Sequence, residues 1–168
     1  MNEASDITYN VMDIIRGTTV DGPGFRTSIY LAGCSHHCPG CQNPQSWEPD
    51  AGEIMTLEEI LRVVEEEDFD VTLSGGDPLM FPEKTKILIE RLKKNRRDVW
   101  VYTGYTWEEI LHSPLLLDSI SQADVVVEGR YLEEMRNLDI PFRGSSNQRI
   151  IDIQQSLLQN KIILVRRD

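Results

Sequence analysis

The sequence predicts an α/β fold: an incomplete, open (β/α) barrel with a mostly parallel, curved sheet. Short apolar runs of strand character alternate with amphipathic helical segments, and the connections between them are brief, the pattern of βαβ units. The chain has 168 residues, whereas a closed eight-fold barrel typically takes ~250. The usual ~100–200 residues per domain then give a single domain over residues 1–168. No internal repeat, low-complexity tract or linker divides it.

Residues 7–15 and 26–31 alternate as strands. Thr56-Leu57-Glu58-Glu59 is a capping box, followed by Leu57, Ile60, Leu61 and Val64 on one helical face. Residues 70–73 form a short buried strand. Pro82 opens a helix running to about Asn95, with Glu90 and Lys94 spaced to pair. Residues 99–102 make another strand, Thr106-Trp107-Glu108-Glu109 a second capping box, residues 124–128 a buried strand and residues 161–165 the last. Trp100, Tyr102, Tyr105 and Trp107 read as core and rim packing, and His112 as a structural helix residue.

With 28 acidic against 17 basic residues the net charge is −11, which argues against a general nucleic-acid binder. No apolar run is long enough to cross a membrane, and nothing in residues 1–10 resembles a signal peptide.

All three cysteines of the chain lie in one stretch, Cys34-Ser35-His36-His37-Cys38-Pro39-Gly40-Cys41, a CxxxCxxC triplet. Three thiolates can hold three corners of a four-iron cluster and leave the fourth iron open, whereas an electron-transfer cluster normally takes a fourth cysteine. Unrelated core cysteines have no reason to crowd into one loop. A Cys3His zinc site completed by His36 or His37 is the stronger rival, although paired CxxC units are the commoner zinc spacing. An odd count argues against a disulfide framework. Further on, the strand ending at Leu73 empties into Ser74-Gly75-Gly76-Asp77-Pro78-Leu79, where two glycines let backbone groups approach a ligand with no side chain between. Ligands in such folds gather at the carboxyl ends of the strands. The cysteine loop, the Gly-Gly turn, Thr103 and residues 128–130 are therefore expected on one rim.

The triplet, with Asp21-Gly22-Pro23-Gly24-Phe25-Arg26 before it and Gln42-Asn43-Pro44 after it, resembles the radical S-adenosylmethionine (radical SAM) superfamily and its glycyl-radical activating enzymes. Taken with the Gly-Gly-Asp turn, residues 99–105 and Arg143-Gly144-Ser145-Ser146-Asn147-Gln148, the chain resembles the anaerobic ribonucleoside-triphosphate reductase activating proteins over residues 21–150. The resemblance implies a barrel of the radical SAM type, with Cys34, Cys38 and Cys41 as ligands of a 4Fe-4S cluster. It places Gly75, Gly76 and Asp77 at the amino group of SAM, and Gly40, Cys41 and Gln42 at its adenine. The aromatic that commonly precedes the last cysteine is missing, so adenine packing must come from elsewhere. Thr103 joins the cofactor rim, and Glu128 and Arg130 are candidates for the methionyl carboxylate or the ribose. Asp21 matches an aspartate near the glycine-binding site of related activases, although Asp-Gly-Pro-Gly is also ordinary turn chemistry. His36 matches a motif histidine whose other role is hydrogen bonding within the loop.

The implied activity is reductive cleavage of SAM to a 5′-deoxyadenosyl radical, which makes a glycyl radical on the large subunit of the anaerobic reductase. A donor such as reduced flavodoxin and a cytoplasmic location are implied with it. A pyruvate formate-lyase activase, a small-molecule radical SAM enzyme, and a non-enzymatic zinc or electron-transfer module are the alternatives.

Overall fold

The structure, a computed structural model, describes residues 7–166; readings that reach residues 1–6 or 167–168 lie outside the described residues in that part. Among the described residues seven strands form one sheet: β1 Thr8–Thr18, β2 Arg26–Leu31, β3 Glu53–Thr56, β4 Asp70–Gly75, β5 Val99–Thr103, β6 Val125–Glu128 and β7 Arg149–Asp152, in the order β3-β1-β2-β4-β5-β6-β7. Helices α1 Leu57–Glu67, α2 Pro82–Lys94, α3 Trp107–Leu111, α4 Pro114–Ile120 and α5 Ile153–Gln159 connect or follow them.

The centre of the sheet, β2-β4-β5-β6, is parallel, as alternation of strand and helix predicts. Its flanks are antiparallel: β1 on β2, β3 on β1, and β7 on β6. The connection from β1 to β2 is too short for the crossover of a dozen or more residues that a parallel neighbour needs. The strand expected at residues 161–165 is a correction. That stretch touches β7 through one bridge, Leu164 to Ile151, and β7 itself is the strand beside β6. The helical ion pair is also corrected, because Glu90 lies 3.9 Å from Lys86 rather than pairing forward with Lys94.

The two sheet faces differ in chemistry. On one, Ile29, Leu31, Val71, Leu73, Val99, Val101 and Val126 pack with Leu57, Ile60, Leu88, Ile89 and Ile110 of the helices into the main core. On the other, the register sets Ser28 beside Thr72, Tyr30 beside Ser74, and Thr72 beside Trp100. A smaller cluster of Trp100, Val125, Val127 and Ile150 sits there, with no helical residue among its described members. Arg26 is buried on this face. It donates to Thr72 Oγ1 at 2.9 Å and to the Val71 carbonyl at 2.8 Å, pairs with Asp98 at 2.9 Å, and lies 5.5 Å from the centre of the Trp100 ring. A buried guanidinium is tolerated only with partners of this kind.

Candidate active site

The cysteine loop leaves β2 and is closed at its base by backbone bonds from Gly33 N to Ser46 O (2.8 Å) and from Cys34 N to Trp47 O (3.1 Å). Inside it, Cys41 N donates to Cys38 O at 3.0 Å, and Gly40 has φ 77°. Proline at the second and a positive-φ glycine at the third position of a four-residue turn define type II. Pro39-Gly40 therefore brings Cys38 and Cys41 together through backbone geometry alone. Asn43 N donates to Cys41 Sγ at 3.4 Å. Burial pushes the Cys34 thiol up, against the backbone N–H groups of His36 and His37.

The three cysteines line one cleft of about 850 Å³, open mouth included, together with Gln42, Gly75, Gly76, Asp77, Thr103 and Gly129. These groups come from the carboxyl ends of β2, β4, β5 and β6 or from the segments that follow them. Gly40 is not among the residues that line it; the Glu133 carboxylate sits over the position its Cβ would take. Glu128 and Arg130 instead line the neighbouring cleft with Thr106, Leu132, Asn147 and Arg149.

The glycines of the β4 turn answer first to the fold. A Cβ on Gly75 would fall 2.3 Å from the Leu31 backbone oxygen, and one on Gly76 would fall 2.6 Å from that of Gly33. Their close approach to β2 is sealed by Gly76 N to Leu31 O at 2.8 Å and Asp77 N to Gly33 O at 2.7 Å. The side chain of Asp77, 2% exposed, is the knot of the site. Its Oδ1 accepts from Leu79 N at 2.8 Å. Its Oδ2 accepts from Thr103 Oγ1 and Gly104 N, both at 2.9 Å, and lies 2.8 Å from His36 Nε2. His36 thus plugs the cysteine loop into the ends of β4 and β5. Its ring meets Tyr105 edge-on at 4.6 Å, over Gly104, where a Cβ would come within 2.5 Å of His36 Cδ2.

His36 Nε2 bonds Asp77, and the His37 ring stacks on Trp47 at 4.4 Å. Among the described residues no three His, Cys, Asp or Glu side chains converge as one ion requires. A four-iron cluster asks for three thiolates around a wider body, and the donor set fits it. Trp47 lines the same cleft, and its indole N–H is buried without an acceptor. Buried donors are normally paired, and hydrogen bonds to the sulfurs are a means by which proteins tune such clusters.

Glu128, 1% exposed, accepts from the first backbone N–H of α3, Trp107 N, at 2.5 Å, and holds Arg149 through two contacts at 2.9 Å. Arg130 grips Glu109 at 2.5 and 3.0 Å, which holds the Glu109 carboxyl below its usual range. That grip takes up Glu109, so Thr106 caps α3 without the reciprocal bond that completes the box at Thr56. Glu128→Gln is therefore expected to lower stability by about 2 kcal/mol, since a buried charged partner is lost while Arg149 stays a third exposed. Binding of SAM, the ligand the resemblance implies, should not change; urea unfolding beside a binding titration separates the two, and weaker binding at unchanged stability would restore the ligand role.

Asp21 lies on the polar sheet face. Its carboxylate accepts from the Tyr30 hydroxyl, and its carbonyl from Thr72 Oγ1 at 2.8 Å. Tyr30 lines a further cleft that shares Asn43 and Gly75 with the cysteine cleft. Trp47 and Tyr131 line the cysteine cleft and Tyr30 the one beside it, and motif spacing missed all three. Only Tyr30 carried a signal, alternating with Arg26 and Ser28.

The family model described as "4Fe-4S single cluster domain" matches residues 20–151, so fold, cysteine loop and cleft define a protein of the single-cluster iron-sulfur class. Anaerobic ribonucleoside-triphosphate reductase-activating proteins are similar over most of their length. That of Escherichia coli K12 is 30% identical over 77% of this chain and 89% of its own. Those of Vibrio cholerae (32%, 77% and 88%) and Enterobacteria phage T4 (31%, 78% and 86%) are comparable. The chain belongs to the anaerobic ribonucleoside-triphosphate reductase-activating protein family. The crystal structure of QueE from Escherichia coli has a similar fold, with TM-score 0.54 at 16% identity, covering 73% of this chain and 71% of that one.

Proposed function

We propose that the chain activates the anaerobic ribonucleoside-triphosphate reductase by forming a glycyl radical on its large subunit. The observation that carries this is the placement of three thiols, with no fourth cysteine in the chain, in one cleft with the Gly-Gly-Asp turn. A four-iron cluster bound there would supply the one electron, received from an external reduced donor, for reductive cleavage of SAM to methionine and a 5′-deoxyadenosyl radical, which would take hydrogen from the glycine.

The chain itself contributes position. Cys34, Cys38 and Cys41 hold the cluster. Gly76 N and Asp77 N are bonded to Leu31 and Gly33, so the turn's carbonyls are what it offers the ammonium of SAM, and Asp77 and Thr103 hold the turn in place. Gly40 and Gln42 border the adenine. Asp21, with Tyr30, faces the incoming glycine segment; Glu128 and Arg130 support the rim from the adjoining cleft. The sheet is read as an incomplete, open barrel of the radical SAM type, one domain over residues 1–168. Supporting this, Arg26, Ser28 and Thr72 are buried on a sheet face whose cluster has no helical residue among its described members. The open side would receive a polypeptide, the glycine-bearing segment of the reductase. A reduced donor such as flavodoxin and a cytoplasmic location complete the proposal; the described helices include none long and apolar enough to cross a membrane.

The test is anaerobic reconstitution with iron and sulfide, then electron paramagnetic resonance of the reduced protein with SAM and the reductase. A four-iron signal that changes on SAM addition, 5′-deoxyadenosine release and a glycyl radical on the reductase are expected. Truncating the partner's glycine-bearing tail should remove that radical. Stoichiometric zinc with no paramagnetic cluster, or a glycyl radical on the truncated partner, would overturn the reading.

A further inference from the structure

Residues 143–148 fold against the segment that follows β6. Gln148 spans the junction: its Nε2 donates to Gly129 O at 2.9 Å, and its Oε1 accepts from Gly144 N at 2.9 Å and Ser145 N at 3.3 Å. Asn147 Nδ2 donates to Arg130 O at 2.8 Å, and Leu132 N donates to Ser145 Oγ at 3.2 Å. The bonds at Gly129, Arg130 and Leu132 bracket Tyr131. Its ring lies on Gly144, where a Cβ would come 3.2 Å from Cδ2, and its hydroxyl donates to Glu133 at 2.7 Å. These bonds fix the backbone on either side of one aromatic side chain at the mouth of the cysteine cleft.

We propose that Tyr131 is the face on which the adenine of SAM stacks, with residues 143–148 as the brace that holds it there. This rests on the SAM reading above. The cleft runs from the β4 turn to the segment after β6, with β5 between, a width of roughly 10 Å at the usual strand spacing. The turn end offers backbone oxygen suited to an ammonium group. The other end offers Val127, Gly129, Tyr131 and Gly144, an apolar and aromatic wall suited to a purine. Gln148 has both ends of its amide committed, so the wall's contribution is a surface for stacking. Among the aromatic side chains of the cleft, His36 and Trp47 already pack on other rings, and Tyr102 packs on the Trp100 cluster with its hydroxyl donating to Phe142 O at 2.7 Å, whereas Tyr131 is held against a glycine. The missing aromatic beside Cys41 is replaced from the opposite wall.

The experiment measures equilibrium binding of SAM and of 5′-deoxyadenosine to cluster-loaded wild type, Tyr131→Leu, Tyr131→Phe and Tyr131→Trp. Stacking of a base on an aromatic side chain predicts at least about fivefold weaker binding of both compounds to the leucine variant. The phenylalanine and tryptophan variants should bind as wild type, and the paramagnetic spectrum of the reduced cluster without SAM should be the same in all four. Wild-type affinity in Tyr131→Leu, or equal losses in the phenylalanine and leucine variants, would overturn the stacking role alone. A wild type that bound neither compound would overturn the SAM reading and this inference with it.

Discussion

Cys38→Ser is expected to abolish cluster loading, with iron after anaerobic reconstitution near background and no 5′-deoxyadenosine formed from SAM. Three thiolates are already one short of the usual complement, and a serine hydroxyl is a hard, weakly acidic donor where iron-sulfur chemistry uses soft thiolate. The loss should be local. Cys38 is only partly buried, and the type II turn stands on the Cys41 N to Cys38 O bond and on Pro39-Gly40, which the substitution leaves alone. Urea unfolding of the cluster-free variant should match wild type within about 0.5 kcal/mol. Cys34→Ser and Cys41→Ser should behave alike in iron content. A variant at any of the three that retained full iron and a SAM-sensitive spectrum would remove that residue from the ligand set.

What the sequence made legible follows from how local each feature is. The capping box at Thr56 and the apolar face through Val64 yielded α1, because cap and periodicity are both written within one helix. The cysteine loop was equally plain. By contrast, β7 was hidden since its apolar residues run straight into α5, with Asp152 ending one and capping the other through Gln155 N at 2.9 Å. Residues 161–165 have the better strand composition, yet lie beyond β7 and meet it at a single bridge; strand propensity reports a fit to neighbours that the sequence does not name.

The same limit governs the site. Glu128 ends a buried strand on the expected rim, so it read as a ligand. Its actual partners, Trp107 N and Arg149, come from segments about twenty residues away on either side. Gly75 and Gly76 line the cleft at the end of β4, and the backbone at and just after β2 by itself already demands glycine at both. Residues 143–148 carried no generic signal because their bonds serve another segment's geometry.

Asp77→Ala and His36→Ala are expected to fail in different ways, and the contrast tests how the cysteine loop is held. Removing the Asp77 carboxylate strips the acceptor from Leu79 N, Thr103 Oγ1, Gly104 N and His36 Nε2 at once. Buried donors left without partners cost about 1–3 kcal/mol each before relaxation, and breaking a buried charged contact costs about 3–5 kcal/mol. A loss of roughly 3–5 kcal/mol is a large part of the 5–15 kcal/mol a domain has, so the alanine variant should unfold at much lower urea and load no cluster. His36→Ala leaves the carboxylate its other three donors and empties the space between Gly104 and Tyr105. The cluster-free fold should weaken by only about 1–2 kcal/mol, while the loop loses its anchor to β4 and β5 and iron loading falls well below wild type. His36→Gln, whose amide can donate to the same oxygen, should recover part of the loading. Such recovery would not come from a histidine acting as an iron ligand or a proton carrier. If His36→Ala loads iron fully while stability drops, the bond serves the fold alone and the cysteine loop is held by its base at Ser46 and Trp47.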